Sequence, residues 1–313
     1  MSYGFKLWWL SLAAFFLVHF AAAMAMGWLA PVAIRMAGRM RSRAAARFLL
    51  TVRFAPLGIA IFVVAALCVP SYLWFEPDVA EEVGPACLLA AVLCVGIWAI
   101  SLSRSARAIL KSRRWLRQCE RTGCETRLAG GPAVIVDGNA VALAGLLRPR
   151  VIVASEVVRA LSPEQLDAAL RHERAHWGSR DNFKRLLLLI APDAFPFFHG
   201  GFAGIERAWK KYAEWAADDR AASGDVERSL ALAGALVRVA RLGAGPQPSP
   251  LVTSLIDGDL SERVERLLRG EPEGAPDRWT PVVCALSALA LAAVVLRPGA
   301  LISVYGLLER LIR

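Results

Sequence analysis

Four long blocks of apolar residues interrupt the chain, and each is bounded by charged or glycine-containing stretches. Each block is near the roughly 20 residues that an α-helix needs to cross a hydrocarbon core of about 30 Å, with the last two at the short end. The pattern therefore predicts about four transmembrane helices, three ahead of a long polar segment and one after it. The blocks cover residues 7–34, 55–75, 85–102 and 280–296.

The polar segment at residues 105–278 has a different pattern, which predicts a folded domain. Residues 133–136 have a β pattern that ends at the turn sequence Asp137-Gly138-Asn139, and apolar stretches follow at residues 140–147 and 151–153. We expect a small antiparallel sheet here. The predicted fold class is a membrane protein, mainly α-helical, with this small antiparallel sheet.

A helix start follows the predicted strands. Ser162 is a capping residue, Pro163 would occupy the first helical position, and Gln165 can complete a capping box. These signals predict a helix that runs toward Leu189. A second helix is expected at residues 209–219, which contain no glycine or proline.

Composition supports the membrane assignment. The chain has 313 residues, of which 56% are hydrophobic, and its mean hydropathy is +0.45. These values exceed those of an ordinary soluble domain. The first block is too long for the apolar core of a signal peptide and an arginine-rich loop follows it at once, so we expect a retained anchor. The lipid bilayer of the inner (plasma) membrane is the first expected partner.

Charge predicts which side of the membrane each segment faces. The loop between the first two blocks and the stretch after the third are rich in arginine, whereas residues 76–82, between the second and third blocks, are acidic. Basic loops stay in the cytoplasm, so we expect the N-terminus outside and residues 105–278 in the cytoplasm. The net charge of +10 is then explained by topology and anionic headgroups, and we do not expect direct binding of nucleic acid.

The sequence His172-Glu173-Arg174-Ala175-His176 is the strongest chemical signal in the chain. On a helix, His172 and His176 lie one turn apart on the same face and can both bind one Zn²⁺. Glu173 is then placed to take a proton from a water molecule at the metal. The plainer interpretation is a helix that carries two surface histidines.

A zinc hydrolase also needs a third protein ligand. Glu214 and Asp218 share one face of the second predicted helix, so Glu214 can bind the metal while Asp218 accepts a hydrogen bond from a ligand histidine. Their spacing fits equally well with a solvated acidic face beside Lys210 and Lys211.

Several segments together resemble the BlaR/MecR-type membrane zinc metallopeptidases, antirepressor gluzincins related to the HtpX-like and prenyl-protein endopeptidases. The resemblance covers roughly residues 130–270. The segments that carry it are GLLRPRVIV at residues 145–153, LSPEQL at 161–166, HERAH at 172–176, RDN at 180–182, EWAAD at 214–218 and ERVERLL at 262–268.

The resemblance implies a zinc metalloendopeptidase with an HExxH and ExxxD ligand pattern. His172, His176 and Glu214 would be the zinc ligands, Glu173 the general base, and Asp218 the residue that orients a ligand. The apolar and charge patterns predict three domains: three transmembrane helices within residues 1–104, a cytoplasmic domain at residues 105–278, and a last transmembrane helix with a short tail at residues 279–313. The resemblance implies that the cytoplasmic domain is a gluzincin-like zinc peptidase, and the arrangement of the spans also resembles the family.

The chain departs from the beta-lactam receptors of this family in one respect. No SxxK motif occurs in the sequence, so we expect no penicillin-binding sensor domain. A signal would have to come through the spans, through a separate sensor protein, or through the tail at residues 297–313.

Residues 186–205 are apolar but contain prolines and a glycine pair, which favours a membrane-facing hairpin over a span. His199 lies in this stretch, between the two helices that are predicted to carry the metal ligands. It is a candidate accessory residue, either a rival metal ligand or a hydrogen-bond donor to the transition state.

Three functions fit these features. The first is regulatory proteolysis of a cytoplasmic protein, as the resemblance implies, with a DNA-binding transcriptional repressor as the substrate. The second is an HtpX-like quality-control protease that acts on membrane proteins. The third is a non-enzymatic signalling scaffold with a vestigial zinc site, which the intact HExxH sequence disfavours.

Overall fold

Long helices make up most of the computed structural model, which describes residues 3–76, 83–128, 131–146, 148–193, 201–243, 249–270, 279–297 and 299–312. The helices are α1 (Tyr3–Ala37), α2 (Ser42–Val63), α3 (Val69–Phe75), α4 (Pro85–Thr122), α5 (Ser155–Ala160), α6 (Pro163–Ser179), α7 (Asp181–Ile190), α8 (Gly201–Ala222), α9 (Val226–Arg241), α10 (Leu260–Arg269), α11 (Trp279–Leu296) and α12 (Ala300–Ile312). The strands are β1 (Cys124–Leu128), β2 (Gly131–Val136), β3 (Val141–Ala144), β4 (Arg150–Ala154) and β5 (Thr253–Ser254).

Three helical stretches in the described part of the chain are long and apolar enough to cross a membrane: Tyr3–Ala37, Ser42–Phe75 and Pro85–Thr122. The second joins α2 to α3 through a π-helical turn at Val64–Cys68. Large apolar side chains such as Trp28 and Leu89 are exposed on these helices, which suits contact with lipid. These stretches contain the first three apolar blocks. The fourth block lies in α11, and its crossing of the membrane stays a prediction, as does the orientation.

Helix α4 continues well past the apolar block at residues 85–102. It runs without interruption to Thr122, and β1 begins at Cys124. The same rigid element therefore leads from a candidate span into the sheet.

The sheet is mixed, so the prediction of an antiparallel sheet is wrong. Its strand order is β1-β2-β4-β3-β5. β3 and β4 are antiparallel, and β4 lies between β2 and β3, where it pairs with β2 in parallel. The turn after β2 leads to a strand that is not its neighbour. Local turn signals mark where strands end, but strand order depends on long-range pairing.

The capping box at Ser162 is formed as expected. The Ser162 hydroxyl accepts a hydrogen bond from the Gln165 backbone N–H, and the Gln165 side chain accepts one from the Ser162 backbone N–H. The helix does not run on to Leu189, however. Arg180 adopts the left-handed conformation (φ 55°), ends α6, and directly precedes α7.

Two apolar cores pack against α6 and α8, the helices that contain the candidate metal ligands. α6 packs between the sheet and α9, through buried residues such as Leu170, Val153 and Leu236. α8 packs against α1 and α2, where Trp209 and Leu49 are buried together. Helix α8 therefore contacts both the candidate spans and α6.

The last helix returns to the candidate spans. The Ser71 hydroxyl donates to the Leu301 carbonyl oxygen at 2.6 Å, and Leu308 of α12 packs with Leu10 and Tyr72. The tail expected after the fourth block is therefore a helix that packs against α1 and α3.

Candidate metal centre

Three side chains from two helices bring their ligand atoms together. His172 Nε2 and His176 Nε2 of α6 lie 3.1 Å apart, and each lies 3.4 Å from Glu214 Oε2 of α8. Ligand atoms at about 2.1 Å from a tetrahedrally coordinated ion are about 3.4 Å from one another. The triangle therefore has the dimensions of one face of a zinc tetrahedron.

The local fold explains why these atoms meet. The helical period places His172 and His176 on one face of α6, with the two rings nearly perpendicular (82°) and their centroids 4.7 Å apart. Glu214 arrives from α8, which packs across α6. These three residues form the one group of potential metal ligands detected within the described part of the chain.

Each histidine is oriented by a carboxylate on its other ring nitrogen. His172 Nδ1 lies 2.9 Å from Asp218 Oδ1, and His176 Nδ1 lies 2.8 Å from Asp181 Oδ2. Such contacts fix the tautomer that leaves Nε2 free for a metal. Glu214 and Asp218 are each 1% exposed, which excludes the solvated acidic face.

Arg263 of α10 contacts the carboxylates of both Asp218 and Glu214. Its Nε and Nη2 atoms donate to the two oxygens of Asp218 at 2.8 and 2.7 Å, and its Nη1 lies 3.4 Å from Glu214 Oε2. Burial alone raises the pKa of Asp218, but the Arg263 guanidinium and His172 outweigh it and hold this pKa below its usual range. Asp218 therefore stays ionised while it orients His172.

A second arginine reaches Glu214 from α7. Arg185 Nη2 lies 3.5 Å from Glu214 Oε1 and 3.2 Å from Asp257 Oδ2. Oε1 of Glu214 is thus directed toward Arg185, while Oε2 faces the two histidines. In the described part of the chain, Oε2 has no hydrogen-bond partner.

Glu173 lies beside the ligands, is 0% exposed, and has no hydrogen-bond partner for either carboxylate oxygen among the described residues. Burial raises its pKa to about 7, although the two histidines act in the opposite direction. A carboxyl group in this state can accept and return a proton near neutral pH.

The electrostatics of the ligands suit a divalent cation. Burial alone lowers the pKa of His176, but Glu214 and Asp181 outweigh it and raise this pKa to about 10. The pKa of Glu214 is pushed up by burial but is held well below its usual range, first by His176. Negative charge thus surrounds the imidazoles. The side chains present therefore fit a zinc ion held by three protein ligands.

The structure brings together His172, Glu173, His176, Glu214 and Asp218, and their roles as ligands, base and orienting residue stay predictions. His199, the candidate accessory residue, lies outside the described residues, as does part of the predicted hairpin at residues 186–205. Sequence reasoning gave no role to Asp181, Arg185 or Arg263. Asp181 and Arg263 lie in segments that carry the family resemblance, which was the only signal available for them.

Comparison with known proteins agrees with this geometry. Residues 117–236 match the model of Peptidase family M48, a zinc metallopeptidase family that contains HtpX and BlaR-type members. The matched region extends from the end of α4 into α9 and includes all three ligand residues. No curated protein matches the chain. The match indicates a metallopeptidase, and the BlaR/MecR subtype stays a prediction.

Proposed function

We propose that this chain is an integral-membrane zinc metalloendopeptidase that cleaves a protein substrate at the cytoplasmic face of the inner membrane. The observation that carries the proposal is the triangle of His172, His176 and Glu214, beside a Glu173 carboxylate that has no hydrogen-bond partner among the described residues. A structural zinc site would more often have four protein ligands.

Zinc, when bound, supplies Lewis acidity that polarises a peptide carbonyl and lowers the pKa of water. Glu173 takes the proton of the attacking water and then delivers it to the leaving amine. Asp218 and Asp181 hold the histidine rings in place, and Arg263 keeps Asp218 ionised. Burial of all these groups excludes bulk water, which strengthens each interaction.

The proposed topology places the arginine-rich turn and the peptidase domain on the same side of the membrane. Two contacts support this arrangement: Arg266 of α10 donates to the Ser42 hydroxyl at 3.3 Å, and the Tyr212 hydroxyl of α8 lies against Gly38. Because arginine-rich loops face the cytoplasm, the peptidase domain does so as well. The N-terminus is then outside, and the domains are residues 1–104, 105–278 and 279–313.

Regulatory proteolysis is the first candidate role, with a DNA-binding repressor as the cytoplasmic substrate and a separate sensor protein as a second partner. It follows from the BlaR/MecR resemblance. HtpX-like quality control is the second candidate, and the family match, which spans both kinds of member, favours it equally. A scaffold with a vestigial zinc site is the third, and the complete set of ligands and base argues against it.

Comparison of peptide termini in cells that carry the wild-type chain or Glu173→Ala tests these alternatives. One cleaved cytoplasmic protein supports the regulator, and many cleaved membrane proteins support quality control. Identical termini in both cells, with zinc bound to both proteins, would contradict the peptidase itself.

A further inference from the structure

The second half of α4 carries basic side chains along one side. Five of them are exposed and follow one another at positions i, i+4, i+7, i+10 and i+14. At 100° per residue these positions fall within about one third of the helix circumference, and they extend over about 21 Å of its length. They form the basic face of α4: Arg107, Lys111, Arg114, Arg117 and Arg121.

The opposite side of α4 is packed against the rest of the chain. Ala108 is buried in one apolar core with Leu186 of α7 and Leu251. Farther along the helix, Cys119 is buried against the sheet beside Val134. These contacts fix the rotation of α4 about its axis, so the basic face is held toward the outside.

The charges of the basic face are not neutralised within the described part of the chain. None of its five side chains forms an ion pair there, and Arg107 and Arg117 donate only to the Ser103 and Arg113 carbonyl oxygens of the same helix. Glu120 is the one acidic residue in the α4 sequence. Like charges three or four positions apart destabilise a helix by about 0.2–0.5 kcal/mol per pair.

Other exposed helix surfaces of this protein alternate the sign of their charges. Arg171 pairs with Asp167 on α6 at 2.6 Å, and Arg269 pairs with Glu265 on α10. A helix that has only to be solvated can pair its charges in this way. The uniform sign of the basic face therefore indicates an external partner of negative charge.

Lipid headgroups can reach only the near end of the basic face. Helix α4 is continuous, so the distance from Leu102, where the apolar block ends, grows by about 1.5 Å per residue, to about 8 Å at Arg107, 18 Å at Arg114 and 28 Å at Arg121. Charges in solution are screened over about 8 Å at physiological ionic strength. The far end of the face is therefore available to a partner in the cytoplasm.

An exposed leucine indicates which kind of partner fits. Leu110 is 48% exposed and lies within the same arc of the helix, between Arg107 and Arg114. The phosphate backbone of a nucleic acid offers no apolar group to cover it. A polypeptide segment can supply both carboxylates for the cations and an apolar side chain for the leucine, which gives it the better complementarity.

We propose that the basic face of α4 docks an acidic segment of the protein substrate, away from the scissile bond. The proposal rests on the proposed function and adds a substrate class to it: a cytoplasmic protein with several Asp or Glu residues around an apolar side chain. Because α4 packs against α7, which contains Asp181 and Arg185, a docked substrate is held on the same rigid unit as the candidate metal centre. Docking raises the effective concentration of the scissile segment and leaves the chemistry unchanged.

Binding is tested with the full chain in uncharged detergent micelles and a fluorescent peptide of Glu and Asp residues around two leucines. We expect Kd to rise about tenfold in Lys111→Glu/Arg114→Glu, and to rise with salt in the wild-type chain. Arg159→Glu/Arg241→Glu makes the same change in net charge at exposed positions on α5 and α9, and should change Kd less than about twofold. Lys111→Arg/Arg114→Lys keeps the charges and should bind like the wild type.

Cleavage tests whether docking serves the peptidase. A peptide that is cleaved only when Glu173 is present, selected from a randomised pool, is joined to the acidic segment through a flexible glycine-serine linker. For the wild-type chain, fusion should lower KM about tenfold and leave kcat unchanged. Lys111→Glu/Arg114→Glu should lose this gain, and the control variant on α5 and α9 should keep it.

The outcomes separate the docking surface from the peptidase. Equal Kd values for the two charge-reversal variants overturn the docking surface and leave the peptidase intact, and an unchanged KM on fusion overturns the assignment to the substrate. Duplex DNA that binds the same face more tightly than the acidic peptide overturns the choice of a polypeptide. Loss of peptide binding in anionic lipid nanodiscs at about 0.15 M salt would show that headgroups cover the face. Absence of Glu173-dependent cleavage with intact peptide binding overturns the proposed function, while the binding result on α4 stands.

Discussion

Asp181 Oδ2 lies 2.8 Å from His176 Nδ1, although Asp181 is only five residues farther along the chain. On a continuous helix, residues five apart point about 140° away from each other, so their side chains cannot meet. The left-handed conformation of Arg180 breaks the helix between them and turns Asp181 back toward the imidazole. The left-handed conformation of Arg180 thus allows Asp181 to orient the candidate metal ligand His176.

Removal of this carboxylate should weaken zinc binding. For Asp181→Asn we expect a loss of about 10- to 100-fold in zinc affinity, because the His176 ring loses the anion that orients it and raises its basicity. Titration of the full chain against a competing chelator measures the change. Asp167→Asn, at an exposed position on α6 that pairs with Arg171, is the control and should bind zinc normally. An unchanged affinity in Asp181→Asn would refute the orienting role.

Glu173 should make the stability of the metal-free protein depend on pH. Its pKa is raised by burial to about 7 from 4.5, so the folded state holds the proton more tightly than the unfolded state. The free energy of unfolding should therefore fall as pH rises from about 4.5 to 7, by about 3 kcal/mol in total. Glu173→Gln cannot ionise, and its unfolding measured in parallel should lack this slope. Parallel pH profiles for the two proteins would contradict the prediction.

Glu173→Gln should also separate chemistry from metal binding. We expect the rate of peptide hydrolysis to fall by about 10²- to 10⁴-fold, the usual contribution of a general base, while zinc content stays at the wild-type level. Metal analysis and peptide cleavage are measured on the same preparation. Cleavage at the wild-type rate would exclude Glu173 as the base.

Loss of Arg263 should destabilise the fold strongly. Its guanidinium is 2% exposed and neutralises Asp218, so Arg263→Ala leaves a buried carboxylate without its cation and should cost about 3–5 kcal/mol. Denaturant unfolding of the full chain in micelles measures this loss. Arg269→Ala removes an exposed arginine that pairs with Glu265 on the same helix and should cost less than about 1 kcal/mol. Similar losses in the two variants would argue against a special role for Arg263.

A chelator should remove the metal slowly, and only certain metal ions should restore the stability of the protein afterwards. The ligands His172, His176 and Glu214 are at most 1% exposed, so a chelator has to wait for local opening of the structure. We expect the chelated protein to unfold at a lower temperature, since a ligand that binds only the folded state stabilises it. Zn²⁺ should restore the wild-type unfolding temperature and Mg²⁺ should not, because nitrogen ligands in a tetrahedral arrangement do not suit magnesium. Recovery with Mg²⁺ would contradict a zinc site.

The peptidase segment should not fold well without the spans. Trp209 and Ile205 of α8 are buried against α2, and Arg53 of α2 donates to Glu206 of α8 at 2.8 Å. A fragment of residues 105–278 exposes this face, so we expect aggregation and weak zinc binding. Size-exclusion chromatography and metal analysis check this, with the full chain in micelles as reference. A monomeric fragment that binds zinc like the full chain would show that α2 is dispensable.

Local signals in the sequence were sufficient to predict that His172 and His176 lie on one face of a helix and where that helix begins. The spacing of His172 and His176 gives a shared helix face by periodicity alone, and the Ser162 capping box fixes where that helix begins. The apolar blocks predicted four spans in the same way, and the first three lie in helices that are long and apolar enough to cross a membrane. These features depend on residues within one or two helical turns, which is why a single sequence reveals them.

The position of the third candidate ligand, the charged residues around it and the strand order depended on contacts between distant segments. Spacing alone left Glu214 balanced between a metal ligand and a solvated acid, and the family resemblance favoured the ligand. Only the packing of α8 across α6 shows it buried at 3.4 Å from both imidazoles. Arg263, Asp181, the insertion of β4 between β2 and β3, and the short β5 likewise depended on tertiary structure. The physical reason is that periodicity and capping act through neighbours along the chain, whereas strand order, charge neutralisation and ligand geometry depend on which surfaces become buried together.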